Sequence, residues 1–166
     1  MDGKASIRFD DPLTRRIVAF LERIGIGIEL EPLGDDTFLP AIQVRGGGLV
    51  VDPDRLQWPG DLLHEAGHVA LADPGARASL DKVSDDPGEE MAAIAWSYAA
   101  ALEIGLDPAI VFHDQGYHGG GRALAEGLAR GALIGTPLLE CYDMAADSSA
   151  RAQGAAPYPH MLRWLR

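Results

Sequence analysis

Apolar residues recur at helical spacing in several stretches of the chain and alternate at strand spacing between them. After Asp11-Pro12, the residues Leu13, Ile17, Phe20, Leu21 and Ile24 share one face until Gly25. That pattern predicts an amphipathic helix with Asp11 as N-cap and Pro12 as its first residue. Ile26, Ile28 and Leu30 then alternate with Gly27, Glu29 and Glu31, and apolar runs at 38–44 and 49–51 flank Arg45-Gly46-Gly47-Gly48. These segments predict a small, mainly antiparallel sheet whose last two strands form a hairpin.

Trp58-Pro59-Gly60-Asp61 opens a second helix that ends near Asp73-Pro74-Gly75. Beyond a polar loop over 77–85, Asp86-Pro87-Gly88-Glu89 reads as an N-cap, a proline at the first helical position and a carboxylate at the third, starting a helix that runs to about Ile104. Asp107-Pro108 predicts a short further helix, and 113–121, rich in glycine, a mobile loop. Two more short helices are expected around 122–130 and 137–145. The tail over 146–166 carries little signal until Met161, Leu162, Trp164 and Leu165, an apolar anchor expected to cover the protein's own core.

A chain of 166 residues with 47% hydrophobic and 23% charged residues fits one folded domain, here spanning 1–166 with its core over about 12–145. Fourteen Lys and Arg against twenty-five Asp and Glu leave a net charge of −11. Such a field does not attract nucleic-acid phosphates or anionic lipid, so neither is an expected partner. Met1–Arg8 lacks the basic-then-apolar pattern of a leader, and no run of eighteen apolar residues occurs. A lone cysteine, Cys141, excludes an intramolecular disulfide, and with these features it predicts a cytoplasmic protein. Its setting in an apolar helix predicts a buried, inert thiol. Arg45-Gly46-Gly47-Gly48 lacks the lysine of a phosphate loop, and Gly119-Gly120-Gly121 is no dinucleotide fingerprint, so both read as turns.

The chemistry lies in His64-Glu65-Ala66-Gly67-His68, an H-E-x-x-H on the second predicted helix. Histidines four apart share a helix face and can converge on one Zn²⁺. Glu65, one step round the turn, is placed to act on a water rather than to ligate the ion, which makes it the candidate general base. Gly67 costs about 1 kcal/mol against alanine inside a helix, and that is understandable if this face lies close to another backbone.

A hydrolytic zinc site has three protein ligands and an open position, so a third ligand is needed downstream. Glu89 and Glu90 are the candidates. With Asp86 as N-cap, Glu89 occupies the third helical position and can fold back on the cap amide, which leaves Glu90 the freer to reach the metal. From Glu90 the same face continues through Ala93, Ile94, Ser97 and Ala101, suited to packing on the motif helix.

Leu62-Leu63-His64-Glu65-Ala66-Gly67-His68 after a short sheet, followed by Glu90 with Ala93 and Trp96 on a helix, resembles the ImmA/IrrE group of small bacterial metallopeptidases, over roughly residues 12–105. This group lies within the wider zincin class whose third ligand is a glutamate. Those relatives usually carry Asn or Asp four residues beyond the ligand glutamate, whereas Ala93 or Ile94 stands there here, so support for a ligand histidine must come from elsewhere. The resemblance implies an α+β, zincin-like fold in which a small sheet packs against the helix bearing His64 and His68, with the Glu90 helix completing the site. It further implies an edge strand able to hold an extended peptide and, as a common role, regulatory cleavage of a protein partner.

Amide cleavage also needs a donor for the developing oxyanion. His113, Tyr117 and His118 in the glycine-rich loop are candidates, with Tyr98 on the third helix behind them. The expected function is therefore zinc-dependent hydrolysis of peptide bonds. Two alternatives stay open: a catalytically inactive zinc-binding regulatory domain, whose fourth ligand would come from protein, and a zinc hydrolase acting on something other than peptides.

Overall fold

The structure, a computed structural model, describes residues 9–166. The expectation that Met1–Arg8 carries no leader lies outside the described residues. Asp11 caps α1 (Pro12–Arg23) as the sequence predicts, its carboxylate accepting the Thr14 N–H at 2.8 Å and the Thr14 hydroxyl at 2.7 Å. Ile17, Phe20 and Leu21 are buried beneath it.

Three strands, β1 (Ile28–Leu30), β2 (Ile42–Arg45) and β3 (Gly48–Val51), form one sheet in the order β1-β3-β2. The hairpin is β2–β3, closed by Gly46 and Gly47 at φ 57° and 73°, the positive values that a two-residue turn of matching twist requires. The expectation of a mainly antiparallel sheet is corrected, because β1 runs parallel to β3 and the sheet is mixed. Alternation of apolar residues tells which face a strand buries but carries nothing about its partner's direction. The run at 38–44 is also broken: Phe38 is 87% exposed and Ala41 sits at φ 69°, so the strand begins only at Ile42.

β2 is left as an edge strand. Asp52 N–H donates to the Ala41 carbonyl at 2.9 Å, so in the alternating antiparallel ladder the odd-numbered residues of β2 face β3. Val44 therefore turns its N–H and C=O to the open side. The hairpin tip is tied down as well. Gly47 N–H donates to the Leu80 carbonyl at 3.0 Å and Gly46 N–H to Asp81 Oδ1 at 2.8 Å, and any Cβ at position 47 would collide with the Arg77 carbonyl.

Two central helices, α2 (Asp61–Leu71) and α3 (Pro87–Glu103), match the predicted pair. Residues 62–71 of α2 and 92–101 of α3 are buried throughout, and they carry the core together with α1 and the inner sheet face. Around them lie α4 (Gly121–Ala129), α5 (Thr136–Cys141) and α6 (Ser148–Ala152). The segment 146–166, expected to hold little structure, contains α6, a bridge between Ala145 and Met161, and the anchored Trp164. Trp164 lies 5.0 Å from Phe20 and 5.5 Å from Trp96 between ring centres, and Trp96 Nε1–H donates to its carbonyl at 3.0 Å. Cys141 corrects its expectation: it is exposed. The six-residue α5 buries Thr136 and Leu139 and ends at Cys141, leaving the thiol on its outer side. Among the described residues no helix is long and apolar enough to cross a membrane.

Candidate metal centre

α2 places His64 and His68 one turn apart with their Nε2 atoms 3.3 Å from each other, both rings buried. α3 meets them with its first turn. Asp86 caps that helix by accepting the Glu89 N–H at 2.9 Å, which sets the phase so that Glu90 faces α2. Glu90 Oε1 lies 3.4 Å from His64 Nε2, and Oε2 lies 3.0 Å from His68 Nε2. Glu89 stays outside this group. The reciprocal half of the expected capping box is absent among the described residues, for the Asp86 N–H donates to Ser84 Oγ at 3.1 Å instead.

One ligand atom from each of His64, His68 and Glu90 lies within 4.8 Å of the others, so the group could hold a metal ion. The separations fit one. Tetrahedral vertices 2.0–2.1 Å from a common centre stand about 3.3 Å apart, close to the observed 3.0–3.4 Å edges. The Nδ1 atoms of both histidines are buried and make no hydrogen bond among the described residues, so the support expected from elsewhere in the chain does not appear. Hydrogen bonds from His64 and then His68 hold the Glu90 carboxyl well below the usual carboxylate range.

Glu65 is 5% exposed and its Oε1 accepts no hydrogen bond among the described residues. Burial pushes its carboxyl above the ordinary value, against the pull of His64 and His68. It lines a groove of about 810 Å³ with His68 and Glu90, and the β2 residues Ile42, Gln43 and Val44 line the same groove. A buried acceptor with no partner among the described residues, beside three groups that could hold a metal ion and on the lining of a groove, is left unsatisfied by the protein itself.

No family model, curated protein or solved structure matches this chain. Its chemistry is carried by the side chains themselves.

Of the candidate donors, Tyr117 is the one brought to the candidate metal group. Its ring stands edge-on to His64, 5.5 Å between centres and 86° between planes, and its hydroxyl is buried without a hydrogen bond among the described residues. Burial, reinforced by the charges of Asp61, Glu90 and Glu65 and only weakly opposed by the nearby Ser97 hydroxyl, keeps the phenol protonated far above its usual range. The turn that delivers it is strained. Tyr117, His118 and Gly119 follow one another at φ 53°, 52° and 80°, a left-handed turn costing about 1–2 kcal/mol at each of the two non-glycine positions.

The other candidates go elsewhere. His113 Nε2 lies 2.7 Å from Asp61 Oδ1 and the ring stacks on Trp58 at 4.4 Å, which fastens it to the start of α2, facing a second cavity of about 800 Å³. His118 is exposed, and Tyr98 packs in the core beside Phe112 and Tyr158. Asp61 and Trp58 were not singled out by sequence. The available signal was the position of Asp61 three residues before His64, on the same helix face.

Proposed function

We propose that this chain is a zinc-dependent metallopeptidase of the ImmA/IrrE type with a zincin-like fold, hydrolysing peptide bonds in the groove between α2 and the β2 edge. His64, His68 and Glu90 are the zinc ligands. When bound, zinc would supply Lewis-acid polarisation and acidify water.

The observation that carries the proposal is Glu65: a buried carboxylate beside the ligand group and on the groove lining, whose Oε1 has no partner among the described residues. Its Oε1 takes the proton of the attacking water and passes it to the leaving amine nitrogen. Tyr117, held protonated, offers its O–H to the oxygen of the scissile carbonyl as charge gathers there. The free N–H and C=O of Val44 pair with an extended peptide as an added strand, which holds the bond in place. Neither His113, tied to Asp61, nor the exposed His118 joins the three residues that would hold the ion, as the fourth protein ligand of a structural zinc would have to. A protein partner cleaved in the cytoplasm is the substrate setting that the resemblance suggests.

A second reading, a zinc-binding regulatory domain without turnover, is favoured by one observation: neither ligand histidine has a partner at Nδ1 among the described residues, whereas working zinc sites orient their imidazoles this way. Metal analysis of the wild type and of Glu65→Gln separates the two. The proposal expects one zinc in both proteins and peptide cleavage by the wild type alone. Zinc in both with no cleavage by either assigns the regulatory reading, and absence of metal from the wild type removes both.

A further inference from the structure

We infer that the groove selects basic peptide segments, and that Asp36 and Asp85 are the residues that set this preference. The inference rests on the metallopeptidase reading for the groove's role as a substrate site.

The groove walls come from two segments beside β2. Residues 33–38 contribute Asp36 and Phe38, and residues 81–85 contribute Asp81 and Asp85 with Lys82. With Glu65 and Glu90 below, five carboxylates face one lysine in the lining. A divalent ion at His64, His68 and Glu90 would offset two of those charges and leave the groove acidic. The carboxylates are not equivalent. Asp81 Oδ1 already accepts the Gly46 N–H, whereas Asp85 has only a loose 3.7 Å contact with the exposed Lys82. Asp36 makes no ion pair among the described residues, and both Asp36 and Asp85 are exposed and able to receive a ligand's charge.

Acidity alone would describe a solvated surface. What makes this one a site is Glu65, 5% exposed, which lines the same groove and whose Oε1 has no hydrogen-bond partner among the described residues. Phe38, 87% exposed on the same wall as Asp36, offers an apolar ledge that the protein itself does not cover. The occupant that satisfies these features is an extended peptide with Lys or Arg near Asp36 and Asp85 and an apolar side chain on Phe38. The chain's net charge of −11 acts in the same direction at longer range, drawing basic segments in and repelling acidic ones.

The test uses three fluorescein-labelled peptides of equal length that differ only in carrying Lys, Gln or Glu beside a common apolar residue. Binding is read by anisotropy on the zinc-loaded full-length Glu65→Gln protein, and cleavage by mass spectrometry with the wild type. The expected preference for Lys over Glu is about tenfold in both, weakening with added salt. Asp36→Asn with Asp85→Asn should remove it, and Asp36→Lys with Asp85→Lys should invert it, with zinc content and Tm retained because both sites are exposed. Equal binding of the Lys and Glu peptides, a preference that survives the Asn pair, or no binding of any peptide overturns the inference. Cleavage without charge preference overturns it and leaves the hydrolase reading standing. Charge-selective binding without cleavage does the reverse.

Discussion

Gly67 of α2 and Ala93 of α3 meet backbone to backbone: a Cβ at position 67 would stand 3.0 Å from the Ala93 carbonyl oxygen and 3.2 Å from its Cα. Gly67 sits between His64 and His68, and Ala93 lies one turn beyond Glu90, so this contact sets how close the two halves of the candidate metal group approach. Gly67→Ala gains up to about 1 kcal/mol of helix propensity but must push the helices apart by tenths of an ångström. The expected result is a zinc dissociation constant raised about tenfold, the lower end of what displaced support for a ligand costs, with little change in Tm. An unchanged zinc affinity in a competition titration would mean that the contact yields without moving Glu90.

Glu90 and Glu89 are neighbours with different surroundings, and removing each in turn tests the site directly. Glu90→Gln should lose zinc, because on the proposed function its carboxylate, 3.0–3.4 Å from both imidazoles, is the third ligand. Glu89→Gln should keep it. Metal content after dialysis is the readout, and loss of zinc from the Glu89 variant instead would reverse the assignment.

Replacing Tyr117 with Phe removes a hydroxyl that is buried and makes no hydrogen bond among the described residues. Stability should therefore hold, since a desolvated polar group is lost together with at most a weak contact to the Ser97 hydroxyl. On the proposed function kcat should fall about a hundredfold with KM unchanged, the scale of one oxyanion donor. Equal kcat for both proteins would reduce Tyr117 to a packing residue on His64.

The Asp11 cap has a pH signature. The Thr14 hydroxyl and then the Thr14 amide lower its carboxyl from the ordinary 3.8, so the folded state favours the charged form. A depressed folded value adds stability above the unfolded one and loses it as pH falls through the folded one. Wild type and Asp11→Ala should differ by about 1 kcal/mol near neutrality and converge below pH 3.8 in urea titrations. A difference that stays constant into acid would show that the charge on Asp11 contributes nothing.

What the sequence displayed and what it hid divide along physical lines. Helices α1, α2 and α3 were legible because capping residues and proline at the first turn are local chemistry, and His64, Glu65 and His68 because their spacing is the helix repeat itself. Glu90 followed from the cap on Asp86, although the reciprocal bond expected of Glu89 goes to Ser84 instead. The parallel pairing of β1 with β3 was not legible, since it joins segments far apart in the chain and is decided by packing. Nor was the break at Ala41, where a left-handed residue interrupts an apolar run. Tyr117 and His113 were both candidates from one loop. Only the fold, through Asp61 and Trp58, sends one to His64 and the other away.

The fastening of Gly46 and Gly47 to the segment after α2 keeps the sheet margin from sliding along the motif helix. A polypeptide laid on Val44, as the proposed function has it, would consequently be held at a set offset from His64 and His68. Such an enzyme would choose where to cut by counting along its substrate from that anchor, as with a ruler.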